Sequence, residues 1–382
     1  MSTQLSRNLR HAVLLGWMLL AIPLLAAAEG QDVAAPPAAS KSAAEFADVH
    51  AVVLPTKPFG YRELPGDIAA LADGRLLLVY GADNIDFPTG AIVSRESADL
   101  GSTWGKPALV VPAPRQKREG ENYCCPGLTR LASGDLILNY IYVSQVRPFY
   151  YAQTFYRRST DDGRTWGDQL LMTPAGGSNL AHNDKLIQLT SGRLILPVEH
   201  EADEAGGDHA GYVAYSFYSD DNGYSWRRSA NVVDLRPIEA QEPHVVELKD
   251  GSLLMLLRTY NGVLARSRST DRGESWSKGE LVESLKISPN SSAINVQRIP
   301  GKGDLLLLRT TAGEAGRRTP FVSAISKDDG LTWAHERVIQ GDPADDYGYP
   351  SVTFVDGRAL ILYHARNGLH VARVGVDWFY GE

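Results

Sequence analysis

The chain has 382 residues, 43% of them hydrophobic, which is enough for one large core or two ordinary ones. Its 38 Lys and Arg are outnumbered by 45 Asp and Glu, leaving a net charge of -7 with no long basic run. This balance excludes a nucleic-acid footprint and points to a small or neutral partner.

At the N-terminus, Arg7, Arg10 and His11 precede an apolar run from Ala12 to Ala27 that ends in Ala26-Ala27-Ala28. A basic start, an apolar middle and small residues at the end are the three parts of a cleavable secretory signal. Residues 1–28 are therefore expected to be removed, leaving a secreted or periplasmic protein with no membrane association. The run is slightly short for an uncleaved anchor, and no other stretch of the sequence is apolar enough to span a bilayer. Residues 29–46, rich in Ala, Pro, Ser and Gln, read as a disordered linker, so 47–382 is the folded domain.

Within that domain two phrases alternate. The first is an apolar residue, a Gly-bearing turn and an apolar strand: Leu71-Ala-Asp-Gly-Arg-Leu-Leu-Leu, Leu131-Ala-Ser-Gly-Asp-Leu-Ile-Leu, Leu189-Thr-Ser-Gly-Arg-Leu-Ile-Leu and Leu248-Lys-Asp-Gly-Ser-Leu-Leu-Met. Looser copies follow at Ile299 and Val355. Each predicts a hairpin between two strands, A and B. The second phrase is Ser-x-Asp-x-Gly-x-Thr/Ser-Trp, which begins at Ser97, Ser159, Ser219, Ser269 and Ser326, with spacings of 62, 60, 50 and 57 residues. Its Asp can accept backbone N–H groups within a turn, its Gly permits positive φ, and its Trp covers apolar surface. These aspartates are read as shaping the turn between strands C and D, with no part in catalysis.

The period suits a four-stranded sheet repeated around an axis. The sixth unit supplies strands A, B and C (351–355, 359–363, 369–374) but no Asp-containing turn and no fourth strand. The early segment Val49-His-Ala-Val-Val-Leu can fill that edge. The predicted fold is all-β, a six-bladed β-propeller whose N-terminal strand closes the last blade. An open β-solenoid would need short regular rungs, which the sequence lacks.

Functional residues of such a ring recur where strand A starts and strand B ends, near the axis. Seven residues after the hairpin Gly stand Gly81, Ile141, Glu199, Arg258, Thr310 and His364; about nine before it stand Pro65, Cys125, Asn183, Glu242 and Tyr349, with His182, Asp184 and His244 beside them. Ionisable groups in positions where a plain core would hold aliphatics predict a polar cluster at one end of the axis. The two cysteines, Cys124 and Cys125, are adjacent and cannot link distant segments; a vicinal disulfide and two buried thiols both remain open. His182-Asn183-Asp184 and Glu199-His200-Glu201 match no recognised metal-ligand spacing, so they read as polar lining, and no cofactor or metal is expected.

The Asp-containing turns on a six-bladed ring resemble the Asp boxes of the sialidase superfamily, and the resemblance covers about residues 52–379. Glu242-Pro-His-Val-Val-Glu-Leu-Lys-Asp-Gly through Arg258 is similar to the sialidase segment that carries the glutamate activating the nucleophile and the second arginine of a carboxylate-binding triad. Tyr349-Pro-Ser-Val is similar to the stretch bearing the nucleophilic tyrosine. By the same resemblance Arg318 takes the place of the third arginine, with Arg317 and Arg309 as rivals, and Asp86 that of the acid/base. The pattern breaks at the first arginine, where Leu64 stands and Arg62 lies two residues away, and at the glutamate that braces it, which is His364 here.

The resemblance implies an exported exo-acting glycosidase that removes a terminal acidic sugar with retention. Arginine forks suit the sugar's carboxylate, and a neutral tyrosine avoids the repulsion a carboxylate nucleophile would meet. The expected roles are catalysis by Tyr349, Glu242 and Asp86, and substrate binding by Arg258, Arg318, Arg62, His364, Glu199, His182, Asp184 and His244. The partner is a glycan. Two other classes fit the ring: a polysaccharide lyase using a His base on a uronate, and a glycan-binding propeller without turnover.

Overall fold

The computed structural model describes residues 45–53, 65–82, 87–114, 121–144, 151–203, 209–288, 294–311 and 317–381. The expected signal, most of the linker, Arg62 and Asp86 lie outside the described residues. The first strand, β1 (Phe46–Val53), begins one residue before the expected domain boundary. Glu45, from the expected linker, is also tied in: its O accepts from Gly375 N at 2.8 Å and its carboxylate binds Arg358.

Blade one is β2 (Gly66–Ala70), β3 (Leu76–Gly81), β4 (Ile92–Ser97) and β5 (Ala108–Val111). Blade two is β6 (Glu121–Arg130), β7 (Leu136–Ser144), β8 (Tyr151–Ser159) and β9 (Leu170–Leu171). In blade three the first strand is broken into β10 (Ser178–Leu180) and β11 (Ile187–Gln188), both paired to β12 (Leu194–Asp203), followed by β13 (His209–Ser219) and β14 (Arg227–Arg228). Blade four runs β15 (Gln241–Glu247), β16 (Leu253–Arg258), β17 (Val263–Ser269) and β18 (Glu280–Lys286); blade five runs β19 (Asn295–Arg298), β20 (Leu305–Thr310), β21 (Phe321–Ser326) and β22 (Ala334–Gln340). Blade six is β23 (Gly348–Val355), β24 (Arg358–Ala365) and β25 (Gly368–Gly375), completed by β1, which pairs antiparallel with β25. A parallel contact between Asn179 and Gln153 joins blades two and three into one hydrogen-bonded sheet.

The second strand of each blade is an apolar run because both its faces are covered. Its alternate residues turn to opposite neighbours. Leu76, Leu78 and Tyr80 of β3 pack with Leu360 and Leu362 of blade six, while Leu77 and Val79 pack with Leu136 and Leu138 of blade two. The same division continues around the ring: Ile137 with Leu194 and Leu196, Ile195 with Leu253 and Met255, Leu254 and Leu256 with Leu305 and Leu307, and Leu306 and Leu308 with Ile361 and Tyr363. Six such inter-blade cores close the circle.

The five Asp boxes fold alike. In the first, Ser97 Oγ donates to Asp99 Oδ1 at 2.8 Å and accepts Gly101 N–H at 2.9 Å, while Thr103 N donates to Asp99 Oδ1 at 2.9 Å and Thr103 Oγ1 to Asp99 Oδ2 at 2.7 Å. The residue before the box glycine is left-handed in each: Leu100, Asp162, Asn222, Arg272 and Asp329. Glycine follows because its own φ is positive in every box, between 78° and 90°, and in some boxes it also sits against the preceding blade. A Cβ on Gly163 would lie 2.9 Å from Leu77, and one on Gly330 2.5 Å from Leu254. Asp162 and Asp329 also bind the A–B hairpins of the preceding blade, accepting from Ala72 N and Lys249 N at 2.9 Å each. The boxes and these hairpins therefore share one face of the ring, leaving the starts of the first strands at the other.

Candidate active site

On that second face the chain uses one local device repeatedly. Cys125, Glu242 and Tyr349 each precede a proline, and each is left-handed, with φ of 52°, 44° and 51°. Non-glycine residues of this size rarely adopt that region. In each case the strand register slips: between Cys124 and Gly127, between Gln241 and His244, and between Gly348 and Ser351. A bulge of this kind re-aims a side chain that regular pleating would send into an inter-blade core. Asp184, in the break between β10 and β11, is left-handed too, with φ 51°.

The result is a compact constellation. Tyr349 Oη donates to Glu242 Oε1 at 2.8 Å, and Arg258 Nη1 lies 3.2 Å from the same oxygen. Arg258 arrives at the end of β16, where it pairs across the sheet with Gln241, just before the bulge. The Arg318 guanidinium carbon stands 5.7 Å from the centre of the Tyr349 ring. His182 and His364 flank that ring, at 5.5 Å and 5.6 Å between centroids. Glu199, in β12, accepts the Glu242 backbone N–H at 2.8 Å. Glu242, Arg258, Arg318, His182, Glu199 and His364 are buried and Tyr349 is half-buried.

Electrostatics divide the two glutamates. Burial pushes Glu242 up, but Arg258, then His182 and Arg318, outweigh it and hold the carboxyl down at about 2. Burial pushes Glu199 up and the neighbouring Glu242 charge adds to it, so that Glu199 reaches about 8. Two carboxyls in one site ionise unequally when a cation sits on only one of them. Tyr349 is raised well above its ordinary value by burial and by Glu242, against the pull of Arg318 and Arg258. The phenol therefore keeps its proton at rest, already directed at a carboxylate. His182 is lowered to about 4 by burial and is neutral at pH 7.

Other expected site residues fall elsewhere. Asp184 accepts from Asn295 Nδ2 at 2.6 Å, Gln297 Nε2 at 2.8 Å and Val352 N at 2.9 Å, and it lines a different space. That space is an axial cavity of about 770 Å³ reaching the hairpin turns at Thr190, Lys249 and Gly251; Tyr349, Glu242, Arg258 and Arg318 do not line it. His244 is fully buried, with Lys185 and Asp184 as neighbours. Of the rival arginines, Arg309 is spent on Glu336 and the Lys286 carbonyl, and Arg317 on the Pro343 carbonyl. His200 is held by Ser178 O at 2.9 Å and Asn179 Oδ1 at 3.1 Å, and no group of three His, Cys, Asp or Glu among the described residues could hold a metal. Among the described residues, neither Cys124 nor Cys125 is in a disulfide.

Sequence reasoning missed Asp67 and Lys185. Asp67 is buried in β2 beneath the site, accepting from Leu128 N and Ile68 N at 2.8 Å each. Lys185 is buried with Nζ on Ile294 O at 2.9 Å, and burial lowers it to about 8. The signal for Asp67 was an ionisable residue inside the otherwise non-polar segment Gly66–Ala70; Lys185 stands in a polar run beside Asp184 and carried no such signal.

The sequence model of the BNR repeat-like domain matches residues 89–361. The chain belongs to this family, within the sialidase superfamily. This BNR repeat-like protein is 28% identical over 347 residues to a sialidase of Micromonospora viridifaciens, covering 83% of this chain and 50% of that one. It is 29% identical over 226 residues to a sialidase of Bacteroides fragilis, covering 56% and 40%. It thus spans about half or less of the length of these curated relatives. A solved sialidase of Streptococcus pneumoniae shares the fold, with a TM-score of 0.62 at 16% identity over 85% of this chain and 69% of that one.

Proposed function

We propose that this protein is an exported, retaining exo-glycosidase that removes a terminal acidic sugar from a glycan. The observation carrying the proposal is the Tyr349–Glu242 hydrogen bond of 2.8 Å with Arg258 on the same carboxylate. Arg258 and Arg318 bind the substrate carboxylate by charge-assisted hydrogen bonds, with Arg62 as the third candidate. Tyr349 Oη attacks the anomeric carbon as its proton passes to Glu242, and the bond to the leaving oxygen breaks as Asp86 protonates that oxygen. Water, deprotonated by Asp86, then displaces the tyrosine, which recovers its proton from Glu242, so the two inversions give retention. The parts assigned to Asp86 and Arg62 rest on sequence position.

The sialidases among its relatives support sialic acid as the first substrate to try. The purified protein should be screened against fluorogenic sialosides, other acidic glycosides and uronate polysaccharides. The proposal expects release of the free sugar acid, with no unsaturated sugar among the products. An unsaturated, absorbing product would make the protein a lyase, and binding without any turnover would make it a lectin.

A further inference from the structure

We propose that Glu199 is a positioning residue for the catalytic pair: its carboxyl holds the Glu242 main chain in the left-handed turn that aims the Glu242 side chain at Tyr349. The inference deepens the glycosidase reading of the same pocket and rests on it. The geometry is a single 2.8 Å hydrogen bond from Glu242 N to Glu199 Oε2, made at a residue with φ of 44° immediately before a proline. Left-handed backbone at a glutamate is strained and persists only where its surroundings enforce it. Glu199 comes from the neighbouring blade, where it pairs with Leu180 on one side and Ala214 on the other, so a rigid strand supplies the restraint.

The charge state of the clamp matters for the chemistry. Glu199 is faced by Glu242 from β15, Arg258 from β16, Lys185 from the stretch before β11 and Tyr212 from β13. Arg258 sits on Glu242, and burial together with the Glu242 charge keeps Glu199 protonated up to about pH 8. A neutral acid can brace the Glu242 backbone without adding a second anion to a pocket that must accept a carboxylate. Above pH 8 the clamp ionises and opposes binding of the acidic sugar, which predicts a rise in KM.

The test compares E199A with E199Q, whose amide oxygen can still accept the Glu242 N–H. E199A is expected to lower kcat about a hundredfold, as displacement of a catalytic group by about 1 Å does. Its crystal structure should show Tyr349 and Glu242 beyond hydrogen-bond reach. E199Q should restore that contact and most of the lost rate, and its KM should no longer climb above pH 8. Stability gives a readout independent of turnover. Between the ordinary carboxyl value of 4.5 and about 8, the unfolded chain has lost a proton that the folded chain keeps. The wild type therefore loses stability relative to E199Q as pH rises through that window, and the difference levels off above it. An unchanged Tyr349–Glu242 contact in E199A, an E199Q as slow as E199A, or a pH-independent stability difference would overturn the proposal. If the wild type cleaves no acidic glycoside, the glycosidase reading fails, while the crystallographic contact and the stability difference still decide the role of Glu199.

Discussion

The carboxylates of the Asp boxes and those at the axial mouth are the same chemical group in opposite settings. Asp99 is exposed and Asp161 half-buried at the surface, and each is held down at about 2, first by the hydroxyl of Thr103 or Thr165 and then by that residue's N–H. Their partners lie within four residues, so the box is complete wherever its eight residues occur. At the axis, Glu242 and Glu199 take partners from other blades; burial raises both, and the cations beside Glu242 separate them to about 2 and about 8. A carboxylate satisfied by its own turn is a structural staple. One that depends on distant side chains, and shares their charge, can exchange a proton during a reaction.

The sharpest way to break this division is Tyr349→Phe. It removes only the hydroxyl that Glu242 receives, so turnover should fall by about three orders of magnitude or more while the melting temperature stays near that of the wild type. Steady-state kinetics with a thermal scan check both halves. Next in size is Arg258→Lys, which keeps a cation beside Glu242 but gives up the planar fork; kcat/KM for an acidic glycoside should drop about a hundredfold. Lysine is chosen because removing the charge would strand a buried carboxylate. The methyl ester of the same glycoside should be a poor substrate for both proteins. An ester cleaved as well as the acid would remove the arginines from carboxylate binding.

Smaller is the expected effect at His364, which is fully buried in β24 opposite Gly348 and against the Tyr349 ring. His364→Glu should raise the ratio of sialoside to other acidic glycoside turnover several-fold. If the wild type already cleaves sialosides efficiently and the ratio does not move, His364 has no part in specificity. The smallest effect belongs to the box face. Asp99→Ala should lower the melting temperature by a few degrees with kcat unchanged. Because Asp99 is depressed in the fold, its contribution is present above its ordinary value of 3.8 and disappears as pH falls toward 2. The gap to wild type should therefore close in that window.

The fold was legible because its signals are local. A glycine turn flanked by apolar residues and a box with all its partners inside eight residues each specify a turn without help, and their period counts the blades. The missing fourth strand of the sixth unit correctly pointed to the segment at Val49, now seen in β1. The site was legible only as a set of positions. Aligning residues on the hairpin glycine brought together Glu242, Tyr349, Arg258, Glu199 and His364, which the structure clusters. It also gathered Asp184 and His244, which sit with the layer beneath, because a one-residue bulge decides which face of the sheet a side chain meets. The repeated X-Pro at Cys125, Glu242 and Tyr349 marked that device in the sequence, but the left-handed turn before each proline became evident only in three dimensions. The separation of Glu242 from Glu199 by charge could not be read from sequence, since Arg258, Lys185 and the two acids come from different segments.

The central claim, that Tyr349 is the nucleophile and Glu242 its base, is tested most directly by trapping. A difluorinated sialic acid whose fluorine substituents slow breakdown of a glycosyl-enzyme should be incubated with the wild-type protein, followed by peptide mass spectrometry. One sugar covalently bound to Tyr349, absent in Tyr349→Phe, is the predicted result. A wild type that turns over acidic glycosides yet yields no adduct, or carries it on a carboxylate instead, would contradict the account.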